Sequence, residues 1–436
     1  MQHRIPVEAL GPNGPHMARA VETCVHCGFC LPACPTYQSW QQEMDTPRGR
    51  IYLMKAQSEG RLGFSDTVVQ HFDRCLGCLA CVSACPSGVK YDVLIEQARA
   101  EVEQKHQRSL ADRLFRGLIF AFFPYPARLR VLAMFQLLYQ LSGLRWLLHR
   151  IGLVQLLPAR LRQMEALAPD VSWSQLHTEL PEFVAAAGER RRRVALLPGC
   201  VQRVYFPDVN QATLRVLSAE GCDVLVPQGL GCCGALSLHA GREPEAQEFA
   251  RRAIARLEQE NFDAIIVNAA GCGSTMKHWS RLLAHDSEWR ARAARLEAKV
   301  KDVNEFLAGL EPVAERHPLA LRIAYHDACH LSHGQKIRSE PRALLRAIPG
   351  IELLDIPDAD QCCGSAGVYN LLEPESAQQI GKRKADSIRS VNPEVLVSAN
   401  PGCTLQIQSQ LGAAGVSLRT AHPIQVLDAS IRGTSL

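Results

Sequence analysis

Two runs of cysteine restrict this chain more than any other feature. "CVHCGFCLPACP" places Cys24, Cys27, Cys30 and Cys34 ahead of Pro35, and "CLGCLACVSACP" places Cys75, Cys78, Cys81 and Cys85 ahead of Pro86. Both read C-x2-C-x2-C-x3-C-P, the bacterial ferredoxin spacing for cubane [4Fe–4S] clusters. Three closely spaced thiolates hold three irons of one cube. The x3 step and the proline then carry the chain away, so the fourth thiolate serves the other cube. On this rule Cys24, Cys27, Cys30 and Cys85 form one ligand set, and Cys75, Cys78, Cys81 and Cys34 form the second. Zinc is the competing ion, but it favours paired C-x2-C knuckles over three cysteines in series. Two clusters in one small module make an electron relay. Between the runs, "TPRGRIYLMKAQSEGRL" predicts a helix starting near Pro47. Its Arg48 and Arg50 either offset cluster charge or form an ordinary solvated helix start.

A second feature repeats further on. "GCCGAL" at 231–236 and "QCCGSAG" at 361–367 each set two thiols side by side. A structural disulfide between neighbours would be strained, because the bridge requires a definite Cα separation. The surroundings repeat as well. "VALLPGC" and "IAYHDAC" end at Cys200 and Cys329; the doublets are Cys232–Cys233 and Cys362–Cys363; "FDAIIVNAAGC" and "PEVLVSANPGC" end at Cys272 and Cys403. The offsets are 129, 130 and 131 residues, so one module has been duplicated. Short apolar runs ("VALLP", "DVLVP", "AIIVN"; "RIAYH", "ELLDIP", "EVLVSAN") alternate with helical periodicity, which argues for α/β layers with parallel sheet. Each quoted cysteine follows a strand, where open α/β sheets place ligands. Cys200, Cys232, Cys233 and Cys272 are expected in one crevice, and Cys329, Cys362, Cys363 and Cys403 in another, each as a metal site. Gly234 and Gly364 are expected to let backbone approach the bound group. Cys222 lacks a counterpart and is expected to be buried at a strand start. His326, His330 and His333 gather near the second site, either as ligands or proton carriers or, the simpler reading, as hydrogen-bonded polar residues at a strand end.

Between the two cysteine systems, no acidic residue occurs from Arg113 to Met164. "LIFAFF", "VLAMFQLLYQL" and "LRWLLHRIGLVQLL" are interspersed with arginines, which predicts short amphipathic helices. Such helices suit a membrane interface, a partner subunit or the chain's own core. The stretch from Pro169 to Arg193 reads as a linker. The expected fold class is α+β overall: a helical two-cluster ferredoxin-like module (1–108), a helical Arg/Leu-rich segment (109–168), a linker (169–193) and a duplicated α/β pair (194–318 and 319–436).

Composition narrows the function classes. Seventeen cysteines, an odd number in a 436-residue chain, do not resemble a small disulfide scaffold. The opening "MQHRIPVEALGPNGPH" lacks the apolar core of a secretory signal, and no apolar run approaches the length of a membrane span. A reducing cytoplasmic setting is therefore expected. A net charge of +4 is too mild to argue for nucleic acid.

Taken together, the two ferredoxin runs and two "CCG" domains resemble the iron–sulfur subunit family of glycolate oxidase (glycolate dehydrogenase), over nearly the whole chain. The most specific pieces are "CVHCGFCLPACPTYQ", "PRGRIYL", "CPSGVKY", "GCCGA", "NAAGCG", "CCGSAGVYNL" and "ANPGC". The resemblance implies two flavin-binding partner subunits that oxidise glycolate to glyoxylate. This chain would pass the electrons to a membrane acceptor such as quinone, as a peripheral protein on the cytoplasmic face of the inner membrane. It carries no G-x-G-x-x-G after a strand, in keeping with FAD residing in the partners. No catalytic residue is therefore assigned to it. Equivalent subunits for lactate or glycerol 3-phosphate, a heterodisulfide-reductase-like thiol enzyme and a zinc-filled scaffold remain alternatives. In the heterodisulfide reductase relatives the pattern closes as C-x-x-C, whereas Thr275 and Gln406 stand at those last positions here. Four thiolates suffice for a further cubane cluster or for zinc, and an emptied relic would also retain them.

Overall fold

The computed structural model describes residues 5, 7 and 14–436. The opening stretch read for a leader sequence lies largely outside these residues. In the N-terminal module, prolines and hydroxyl caps set the helix starts. Pro35, directly after Cys34, occupies the first turn of helix Pro35–Trp40. Helix Pro47–Ser58 starts where expected: Thr46 caps it by accepting from the Gly49 N–H at 2.9 Å. Helices Asp66–Asp73 and Tyr91–Lys105 close the module over a core that includes Ile51, Phe72, Leu94 and Ile95.

The chain then crosses to the duplicated half through helices Leu110–Phe122, Pro126–Leu141, Leu144–Arg150 and Ala159–Leu167. One side of these helices is internal. Leu129, Ala133 and Leu137 pack on Val171, Leu176 and Val204, while Ile119 and Phe120 pack on Val368, Leu371 and Leu372. The other side leaves Phe135, Leu138, Leu141, Trp146 and Ile151 exposed. Among the described residues, no single helix is long and apolar enough to cross a membrane. Leu110–Phe122 and Pro126–Leu141 reach the required apolar length only together, and they meet at a 105° bend.

The duplicated half contains two sheets. The first has strands β1 (Phe183–Val184), β2 (Arg192–Leu197), β3 (Cys222–Leu225), β4 (Ala264–Val267) and β5 (Val300–Asp302), in the order β1-β3-β2-β4-β5. The second has β6 (Leu321–His326), β7 (Ile351–Leu354), β8 (Val395–Ser398) and β9 (Arg419–Ala421), in the order β7-β6-β8-β9. All pairings are parallel except β1 with β3. The segment read as a linker thus contributes β1, docked on Val224 and Leu225. Strand β4 is apolar along its whole length, and β2 and β6 are buried over their last four residues, because both faces are covered. Alternation divides them: Val194 and Leu196 join Ile323, Tyr325, Val395 and Val397 in a core shared by both halves. Ala195 and Leu197 face the first half's own helices, as Ala324 faces the second's.

Glu373, just before helix Pro374–Ser390, is pushed up to about 7 by burial and by Asp73, against the pull of Arg160, Arg74 and Arg116. The native state therefore binds this proton more tightly than the unfolded chain, and stability falls as pH rises from about 4.5 to about 7. Glu373→Gln is expected to stabilise the protein by on the order of 2 kcal/mol above that window, with the gain vanishing below it. Thermal melts of the two proteins across the window check this.

Candidate metal centres

In the first cysteine loop, Cys24, Cys27, Cys30 and Cys85 line one hollow together with Val25, Phe29 and Arg48, and Cys81 reaches its wall. Cys27 is exposed, and beside it Val25 and Phe29 are 68% and 65% exposed. Arg48 donates to the His26 carbonyl at 3.1 Å and is held by Glu43. The second group is more deeply set: Cys34, Cys75, Cys78 and Cys81 are all buried. Cys34 is an electrostatic neighbour of Cys78 and Cys81, Cys24 of Cys85, and Cys30 of both Cys34 and Cys81, so the two loops lie against each other.

Arginine distinguishes the two groups. Arg50 is fully buried, donating to the His71 carbonyl, the Asp45 carbonyl and Thr36, with Asp45 as its ion-pair partner at 3.3 Å. It is thus no solvated helix start. Arg99 donates to the Cys75 carbonyl and to the His239 carbonyl. Burial alone would raise the Cys75 thiol. Arg50 and Arg99, with the Gly77 N–H and the Tyr91 hydroxyl, outweigh it and hold the thiol below its usual range. Cys78 has no such help; burial and then Cys329 push it well up. A sequence scan for arginines beside the cysteine runs misses Arg99, which lies on the following helix.

In the duplicated half the cysteines converge as expected. Cys200 lies 3.7 Å from Cys232 (Sγ to Sγ), Cys232 neighbours Cys233, and Cys233 neighbours Cys272. The second half repeats the chain: Cys329 to Cys362, Cys362 to Cys363, Cys363 to Cys403. The contact with Cys232, then burial, pushes Cys200 well above the usual thiol range; Cys362 and burial do the same to Cys329. Thiols this crowded and buried ionise when a cation compensates them, and metal binding then releases their protons. The donor sets fit thiolate-bound metal. Gly234 and Gly364 are required by packing, and the Gly234 N–H also lies 3.4 Å from Cys232 Sγ. Both have left-handed backbone, and a Cβ would fall 2.8 Å from the Ala246 carbonyl oxygen or 2.7 Å from that of Ala377. Cys222 opens β3 and is buried.

The histidines behave differently from one another. His333 Nδ1 lies 2.9 Å from Ser83 Oγ and its Nε2 lies 3.0 Å from the Asp360 carbonyl; His330 Nε2 lies 3.1 Å from the Gly77 carbonyl. Both therefore bind the ferredoxin module. His326, by contrast, is fully buried and neither ring nitrogen has a hydrogen-bond partner, contrary to the expectation of a satisfied polar residue.

These contacts press the two cysteine systems together. Leu76, Cys78 and Ala80 pack directly on Cys329, Cys362 and Tyr369. The Tyr369 hydroxyl donates to the Arg74 carbonyl at 3.1 Å. A cavity of about 670 Å³ touches Cys200, Cys233 and Cys272 of one site and Cys329, Cys362 and Cys403 of the other. Its outer wall is Phe135, Tyr139, Leu148, Leu157, Leu161 and Met164 of the middle helices.

Known proteins share this arrangement. The 4Fe-4S dicluster domain matches residues 20–89, the cysteine-rich (CCG) domain matches 194–277 and 323–408, and the linker region of the glycolate oxidase iron–sulfur subunit matches 111–168. The probable glycolate oxidase iron–sulfur subunit of Bacillus subtilis is 40% identical over 93% of this chain and 92% of its own length. The glycolate oxidase iron–sulfur subunit of Escherichia coli is 35% identical over 95% and 96%. Lactate utilization protein A of Geobacillus sp. is 27% identical over 54% of this chain and 99% of its own length. Such identity sustained from end to end, with a matching linker between matching cysteine domains, means that the chain belongs to the glycolate oxidase iron–sulfur subunit family.

Proposed function

We propose that this chain is the electron relay between two flavin-binding partner subunits, which oxidise glycolate to glyoxylate, and a membrane quinone. The observation that carries the reading is the packing of Cys78 on Cys329 and Cys362, which makes the ferredoxin-type and CCG thiols one continuous system. Clusters bound at these thiols supply one-electron chemistry. Cys24, Cys27, Cys30 and Cys85 hold the first [4Fe–4S] cluster, and Cys75, Cys78, Cys81 and Cys34 hold the second. The exposed Cys27 loop, rimmed by Val25 and Phe29, faces the flavin partner, whose FAD performs the hydride chemistry. Arg50 and Arg99 stabilise added negative charge at the buried set. The apolar cavity, walled by helices with exposed Leu138, Leu141, Trp146 and Ile151, takes the quinone from a membrane surface on the cytoplasmic side.

The complex purified without oxygen tests this. Roughly eight irons per chain, or more, are expected, together with glycolate-dependent reduction of a short-tail quinone. Roughly four irons would remove one ligand set. Glycolate turnover with a soluble dye but none with quinone would leave the relay and remove its acceptor. The likeness to lactate utilization protein A favours a second reading, lactate as the donor. Comparing lactate with glycolate as reductant of the same complex separates the two.

A further inference from the structure

The two CCG sites are built on one plan but do not offer the same donors. Equivalent positions differ by 129 residues at the first cysteine and by 131 at the last. Three positions before Cys329 stands His326; three before Cys200 stands Leu197. Both end their strands, β6 and β2. Leu197 fills this place as an ordinary core residue, packed with Cys233. His326 fills it as a fully buried imidazole with neither nitrogen hydrogen-bonded. An unpaired buried polar group of this kind destabilises the fold unless something satisfies it. The leucine in the sister half shows that the fold tolerates an apolar side chain here.

The ring has fitting neighbours. One of its nitrogens and the sulfurs of Cys363 and Cys403 all lie within 4.8 Å of one another. Around one tetrahedral ion, with metal–sulfur bonds of about 2.3 Å and metal–nitrogen bonds of about 2.0 Å, donors lie roughly 3.3–3.8 Å apart, a spacing that a group already inside 4.8 Å reaches by small side-chain shifts. Cys329 and Cys362 continue the thiol chain from Cys363. The Ala359 backbone acts electrostatically on the ring without forming a hydrogen bond to it. A second polar replacement accompanies the first. Lys384, buried beside Cys362 and Cys363, stands where the first half has Ala253, counting from the matched pair Ala246 and Ala377. Its ammonium donates to the Asp358 and Ala359 carbonyls, leaving a positive charge next to the thiolates. Gln406, at the place of the absent fifth cysteine, cannot serve as a ligand. Its amide accepts from Asn370 and donates to the Ala377 carbonyl.

We propose that the second CCG site is a mixed imidazole–thiolate metal centre in which His326 is a ligand beside Cys363 and Cys403, whereas the first site is all-sulfur. The ion is of the borderline class that takes nitrogen and sulfur together, either zinc or iron within a cluster. Ligation would be independent of which 2-hydroxy acid feeds the complex.

The test uses the full chain purified without oxygen, with iron and zinc counted and X-ray absorption recorded at the edge of whichever metal exceeds the irons of the ferredoxin module. Wild type is expected to carry metal beyond roughly eight irons, with a nitrogen shell at about 2.0 Å. His326→Leu should lose the nitrogen shell and the second site's share of that increment, keep the metal of the all-sulfur first site and the roughly eight irons, and melt at lower temperature. His326→Cys, which restores a donor, should recover the metal with sulfur in place of nitrogen. A zinc shell and an iron shell both support the proposal and tell its two sources apart. It is overturned if wild type holds only the ferredoxin irons. It is equally overturned if His326→Leu retains all metal and melts higher, as removal of an unliganded buried imidazole would produce. Loss of the ferredoxin irons themselves would instead count against the electron-relay reading.

Discussion

Arg50→Met will destabilise the N-terminal module by about 3–5 kcal/mol, the usual result of deleting one partner of a buried ion pair. Five donor contacts are lost at once. The Asp45 and His71 carbonyls, Thr36 and the Asp45 carboxylate are left short of partners in a site from which water is excluded. Asp45 keeps His71 at 2.9 Å and Arg74 at 3.1 Å, so the loss falls mainly on the backbone carbonyls around the second cysteine loop. The Cys75 thiol also loses one of the two charges that hold it down. Denaturant melts under nitrogen should show the stability change, and iron analysis should show the module assembling poorly. Arg48→Met is the control from the same helix turn. Its partner Glu43 is exposed, and such pairs contribute about 0–1 kcal/mol. Equal losses for the two arginines would refute the argument.

Gly364→Ala is expected to cost about 2–4 kcal/mol, from two additive causes. A φ of +88° disfavours any L side chain, and the new Cβ would meet the Ala377 carbonyl oxygen at 2.7 Å. That oxygen belongs to the backbone of helix Pro374–Ser390 and cannot rotate away. Because Cys362 and Cys363 immediately precede this glycine, the adjustment is transmitted to the thiol site, and metal content should fall with stability. Gly60→Ala separates the causes: its φ of +69° carries the conformational penalty, but no atom lies within 4 Å. It should cost only about 1 kcal/mol. If Gly364→Ala melts no lower than Gly60→Ala, the close approach has no energetic weight.

The modules and the strands next to the cysteines were readable because each carries a periodic or repeated signal. "AIIV" and "VLV" are uninterrupted apolar runs, and both are buried in the interior of parallel sheets. Strands β1, β5 and β9 left no such signal. They are two or three residues long, sit at sheet edges and include Lys301, Asp302 and Arg419. β1 belongs to its sheet only through pairing with β3, a long-range contact that spacing does not encode. Thiol clustering could be anticipated from duplication alone. Arg99 could not, since it reaches Cys75 from 24 residues further along the chain. His326 looked like its neighbours His330 and His333 in one dimension. Partners separate it from them, because those two face the ferredoxin module and are hydrogen-bonded there.

The unequal depth of the two ferredoxin loops also governs how the protein would age in air. The Cys27 loop is open to solvent, whereas Cys78 lies behind the docked CCG half and Cys75 and Cys81 lie in the core of the N-terminal module. Oxidative damage should therefore be sequential: the outer centre is bleached first, and a partly inactivated species with its inner centre intact accumulates before the rest is lost. Repair machinery acting on such a species would need to rebuild only the loop at the surface, without parting the two halves of the molecule.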